Sequence, residues 1–151
     1  MRRVRYVLAL LAFCALATCP VAKRSCNAKI RAREAEELLG VIADKVEQHV
    51  AVTGRVPSVA APLTPQLSCC EQGGQCRPDP TTWAAQGWRD LAFSIDDPYR
   101  YAYEYVPDQD GQAATVRAVG NLDCDSAAST YELHLTVKGT ALARTWARRD
   151  P

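Results

Sequence analysis

The chain lacks any run of the roughly 20 apolar residues that a membrane-spanning helix requires. Its longest, Tyr6 to Ala17, falls well short of that. Charge of one sign is also scarce, with 18 basic residues against 17 acidic for a net charge of +1. Three of the basic residues, Arg2, Arg3 and Arg5, crowd the N-terminus, and setting them aside leaves 15 against 17. Phosphate binding needs a clustered basic face, so nucleic acid is excluded as the main partner. There is no Cys-x-x-Cys pair, which removes the usual zinc module and the thioredoxin-like redox motif. Histidine is limited to His49 and His134, and neither stands beside an acid or a nucleophile in a catalytic spacing. No internal repeat is visible, and no catalytic signature. The expectation is a non-enzymatic protein without a cofactor.

What is present begins with an export signal. Met-Arg-Arg-Val-Arg followed by Tyr6 to Ala17 has the charged start and short apolar core of such a leader. Ala15-Leu16-Ala17 fits the small-x-small rule for cleavage, which would leave residues 18–26 as a linker and 27–151 as one globular domain. A rival reading takes Leu16-Ala17-Thr18-Cys19 as an imperfect lipoprotein box, in which Cys19 is lipidated and tethers the chain to a membrane. Either way the mature protein is placed in the periplasm, at the outer membrane or outside the cell. Disulfides persist there, so Cys26, Cys69, Cys70, Cys76 and Cys124 are disulfide candidates, with Cys19 a sixth if it carries no lipid. Adjacent cysteines seldom bridge each other, so Cys69 and Cys70 should take different partners, and the pairing stays open. A thiol-disulfide exchange role for Cys69-Cys70 is a third, weaker reading.

Apolar residues Ala35, Leu38, Leu39, Ile42, Val46 and Val50 recur at three- and four-residue spacing and predict an amphipathic helix from Asn27 to about Val52. Ser25 or Asn27 can cap its start, and Gly54 with Pro57 closes it. Arg55 to Thr82 holds five prolines, Gly73-Gly74 and three cysteines. Such a stretch reads as a loop that needs disulfide fastening. Beyond it, Tyr99–Val106, Ala113–Val119, Thr130–Lys138 and Ala141–Ala147 alternate as strands, with Asp108–Gly111 and Gly139 supplying turns. The expected fold class is α+β, with one long N-terminal helix packed on a four-stranded antiparallel β-meander.

Two constellations suggest ligand binding. Asn121, Asp123, Asp125, Ser129 and Glu132 fall at positions 1, 3, 5, 9 and 12 of a calcium loop, although Ser126 stands where such loops need glycine. The competing reading is a solvated acidic turn without Ca2+. Tyr99, Tyr101, Tyr103 and Tyr105 share one face of a strand, either as a binding face for a glycan or partner or as half-buried cross-strand aromatics.

Several stretches together resemble the headgroup of a type IV pilin or type II secretion pseudopilin, of the delta-proteobacterial type. They are Ala35 to Pro57, Cys69-Cys70 through Cys76, Trp88-Arg-Asp-Leu-Ala-Phe-Ser-Ile-Asp-Asp-Pro, Tyr99-Arg-Tyr-Ala-Tyr, and Ala118-Val-Gly-Asn-Leu-Asp-Cys-Asp. The last is similar to the Gly-Asp-Leu-Asp-Gly-Asp-Gly loop of such proteins. The prepilin peptidase site and the apolar half-helix that forms the filament spine are missing, and an export signal stands in their place. The resemblance therefore implies a headgroup detached from its stalk, whose partners are other pilin or secretion-system proteins. It would dock on, regulate or cap a type IV pilus or type II secretion assembly. The alternative is an envelope lipoprotein or adhesin-like module that holds a ligand or a surface.

Overall fold

A computed structural model describes residues 32–125 and 127–149, without the side chains of residues 148 and 149. The chain divides at Arg33 into two units, and apart from residues 32 and 33 the elements that follow belong to the second, Glu34–Pro151. Helix α1 runs over residues 32–53. Its apolar stripe, Ala35, Leu39, Ile42, Ala43, Val46 and Val50, is completely buried. The spacing of these residues, three or four apart with the polar positions turned outward, is what makes the helix dock along one side. It closes where Gly54, in the left-handed region at φ 72°, returns its N–H to the Val50 carbonyl at 2.8 Å.

The α1 stripe packs toward a sheet whose inner face is equally dry. Strands β1 (Ala61–Thr64), β2 (Ala102–Pro107), β3 (Ala113–Gly120), β4 (Ser129–Lys138) and β5 (Ala141–Arg149) form one antiparallel sheet in the order β1-β2-β3-β4-β5. Cross-strand rows make the core: Tyr105, Val116 and Leu133 in one, Tyr103, Ala118 and Tyr131 in the next, all buried. Polar anchors hold helix and sheet together at both sides. Ahead of β2, the Arg100 backbone N–H and guanidinium donate to the Glu34 carboxylate at 2.5 and 3.0 Å. On β5, Arg144 bridges Asp44 at 2.8 Å and also Glu47.

This corrects the expected fold class. The sheet has five strands rather than four, and strand outweighs helix in the regular structure of the described residues. The extra strand comes from the proline-dense stretch that reads as pure loop. Pro62 lies inside β1 and Pro65 directly after it, across a cis peptide bond from Thr64. Proline lacks an N–H to donate, which disqualifies a central strand but not an edge strand, where half the backbone groups face away from the ladder. β1 is such an edge, paired with β2 through Ala61 opposite Tyr105 and Thr64 opposite Tyr103. The predicted start of the helix near Asn27 lies outside the described residues, as do the export signal, Cys19 and Cys26.

The long connection from β1 to β2 packs through aromatic rings. Trp83 meets Trp88 and Phe93 edge-on, at centroid distances of 5.4 and 5.3 Å, and tilts against Tyr99 at 5.7 Å. Such pairs contribute about 0.5–1.5 kcal/mol each beyond their burial. Helix α2 (Gln86–Asp90) presents Trp88 to this cluster, and the indole N–H donates to Thr64 Oγ1 at 2.8 Å. The Thr64 hydroxyl in turn donates a hydrogen bond to the Pro62 carbonyl at 2.7 Å, so both buried polar groups are satisfied.

Candidate functional site

Alternation along the strands sorts the side chains into two faces, and register then aligns those on the outer face into rows. Glu104 on β2 lies opposite Arg117 on β3, which lies opposite Glu132 on β4. Arg117 Nη2 donates to Glu104 Oε2 at 2.5 Å. One row along, Val106, Thr115, His134 and Thr145 stand in line. Thr115 Oγ1 and His134 Nδ1 are 3.2 Å apart, and His134 Nε2 is 3.9 Å from Glu132 Oε2. A hydroxyl, an imidazole and a carboxylate in sequence suggest a nucleophile with its base. Here, however, the His134–Glu132 separation exceeds hydrogen-bond length, and His134 is exposed. The arrangement is that of a cross-strand polar ladder. Beside it, Val106, Asp108, Ala113, Thr115, His134 and Thr136 line an open hollow of about 270 Å3. Among the described residues no element covers this face, and Val106 remains 46 % exposed upon it.

A second feature lies at the end of the sheet where β3 runs into β4. Two disulfides meet here, Cys69–Cys76 and Cys70–Cys124, so the neighbouring cysteines do take different partners. Cys69 and Cys70 open a 3-10 turn, Cys69–Gln72, whose first turn is capped by Ser68 Oγ accepting from the Cys70 N–H at 3.2 Å. Cys76 is held in place by a reciprocal backbone pair with Tyr99, at 2.7 and 3.2 Å. The Cys70–Cys124 bridge ties this turn to the acidic loop. Between them runs a cleft of about 280 Å3 lined by Leu63, Gln66, Ser68, Arg100, Asn121 and Ala128, among others.

In the acidic loop, two of the five calcium-loop positions are engaged in shaping the turn itself. Asn121 Oδ1 accepts from the Asp125 N–H at 3.2 Å and its Nδ2 donates to the Asp125 carbonyl at 2.6 Å. Asp125 Oδ1 in turn accepts from the Ala127 N–H at 2.7 Å. Asp123 is exposed, Ser129 begins β4 opposite Gly120, and Glu132 belongs to the outer row with Arg117. Among the described residues no group of three or more His, Cys, Asp and Glu side chains is gathered so as to hold a metal ion.

The four tyrosines do not form an exposed face. Tyr99 is 2 % exposed, and Tyr101, Tyr103 and Tyr105 not at all. They are core, so their rings offer no surface to a glycan or partner. The strand alternation shows which residues share a side; only the helix and the aromatic cluster lying over that side decide that it is dry. Burial pushes the Tyr103 and Tyr105 hydroxyls well above the ordinary phenol range, with the nearby carboxylates Glu34 and Asp108 adding to the effect. Tyr99 shifts the same way, through burial and then Asp79. His49 lies exposed on α1. The outer row centred on Arg117 escaped the sequence reading. Its residues alternate visibly, but which of them stand opposite one another depends on the hairpin register, set by the turn in which Asp108 N–H donates to the Ala113 carbonyl at 2.9 Å.

Comparison of the chain with protein-family models, with curated proteins and with solved structures returns no match.

Proposed function

We propose that this chain is an exported, non-enzymatic interaction protein of the bacterial cell envelope, docking through the outer face of its sheet on a type IV pilus or type II secretion assembly. The observation that carries the docking surface is the row Glu104, Arg117, Glu132 on a strand face that also exposes Val106 and His134 and that no described element covers. An open, backbone-stiffened surface with charges of both signs favours orientation-specific docking over enclosure of a small molecule. The partner class rests on the sequence motifs that resemble pilin headgroups. Export is supported by the N-terminal leader pattern, and the two disulfides are compatible with an oxidising location. Among the described residues no helix is long and apolar enough to cross a membrane.

A photo-crosslinking amino acid placed at Thr136, exposed on the outer face, tests the reading against one at Gln48, exposed on the far side of α1. Adducts with a pilus or secretion subunit from Thr136 and not from Gln48 are the expected result. Adducts only from Gln48, or none containing such a subunit from either position, would remove the proposal.

A further inference from the structure

The two disulfides begin at neighbouring residues yet differ sharply in access. Cys69 and Cys76 are 6 % and 1 % exposed, whereas Cys70 is half-buried and Cys124 lies open to solvent. Thiol-disulfide exchange requires a thiolate to reach one sulfur, so access selects which bridge reacts. Cys124 is also one of only two non-glycine residues with positive φ among the described residues, at φ 59°. L-residues other than Asn and Asp avoid that region, so its backbone has a conformational reason to relax once released. What holds it there is local: the bridge to Cys70 and the two hydrogen bonds between Asn121 and Asp125 that close the turn. The bridge also ties the turn that starts at Ser68 to the loop that starts at Asn121, and both of these residues line the 280 Å3 cleft.

The geometry points to Cys70–Cys124 as a latch opened by an external dithiol, with Cys69–Cys76 the permanent staple beneath it. A thiolate of the dithiol attacks Cys124 Sγ, the S–S bond breaks, and Cys70 leaves as a thiolate that takes a proton. The second thiol of the dithiol then resolves the mixed disulfide and releases Cys124 as a thiol. The dithiol becomes a disulfide, and its two electrons and two protons reside on Cys70 and Cys124. Opening frees residues 121–125 from the Ser68–Gln72 side and unlocks the cleft, while the sheet keeps its pairing.

The test is limited reduction of the folded, full-length exported protein with dithiothreitol, followed by alkylation and peptide mass spectrometry. Labelling of Cys70 and Cys124 at least tenfold faster than of Cys69 and Cys76 is expected. Under the same conditions hydrogen exchange should accelerate at residues 121–125 and stay unchanged in β3 and β4. Equal labelling of the two bridges, or earlier labelling of Cys69 and Cys76, would overturn the latch. So would selective reduction that leaves exchange at residues 121–125 unaltered. The double variant Cys70→Ser with Cys124→Ser serves as the permanently open state, and its exchange pattern should match that of the reduced protein. Should that variant fail to fold, the wild-type reduction series decides alone.

Discussion

Tyr103 and Tyr105 sit two residues apart on β2 with the same burial and opposite hydrogen-bonding fates. Tyr105 donates its hydroxyl to the Pro57 carbonyl at 2.7 Å, while the Tyr103 hydroxyl has no partner among the described residues. A buried hydrogen bond contributes about 1 kcal/mol net, and an unsatisfied buried polar group costs about 1–3 kcal/mol. Tyr105→Phe should therefore destabilise the protein by about 1 kcal/mol. Tyr103→Phe should be neutral or stabilising by up to about 1 kcal/mol. Urea midpoints of the two variants measure the contrast, and a larger loss for Tyr103→Phe would refute it. The same tyrosines set an alkaline limit. Their folded-state pKa values lie above the unfolded value of about 10, so their contribution is intact below that pH and is lost as pH climbs past it. Tyrosinate absorbance from the buried residues should appear together with loss of far-ultraviolet dichroism. Ionisation of all the tyrosines with dichroism intact would count against the burial described.

At the scale of elements, two glycines separate tolerance from prohibition. A Cβ at Gly87 in α2 would lie 2.3 Å from the Ala60 carbonyl oxygen and 2.5 Å from its carbon, both backbone atoms that cannot step aside. That close approach is how α2 brings Trp88 to Thr64 beside β1. Gly87→Ala should cost about 1–3 kcal/mol through overpacking. At Gly40, inside α1, a Cβ would meet nothing within 4 Å. Gly40→Ala should accordingly stabilise the helix by about 0.5–1 kcal/mol. Thermal midpoints moving in opposite directions are the expected outcome, and two shifts of the same sign would contradict these placements. The elements themselves were unevenly legible. α1 could be read because six apolar residues repeat at helical spacing, and β2 to β5 because their alternation is regular. β1 could not, since four residues containing a proline carry too little periodicity to distinguish an edge strand from a loop.

For the molecule as a whole, the bridges divide the work of restraining the unfolded chain. Cys70–Cys124 spans 54 residues of sequence and Cys69–Cys76 spans 7. In the chain-entropy account their removal costs about 4 and about 2.5 kcal/mol respectively. Paired alanine substitutions at each bridge, compared by chemical denaturation, should reproduce that order, and a greater loss from the short bridge would show that native packing around Cys76 dominates. The amino-acid sequence alone determined the local grammar: a helix with one dry stripe, strands with two unlike faces, and cysteines that could not pair with their immediate neighbours. Those properties depend on residues within a few positions of one another, where spacing and steric rules act directly. Tertiary structure alone decided that a proline-bounded tetrapeptide adds a fifth strand, that the tyrosines lie in the core, that Arg117 stands between two glutamates, and which cysteines join. Each of these depends on register or on contacts across tens of residues, and periodicity in the chain carries no information about which distant segment will arrive alongside.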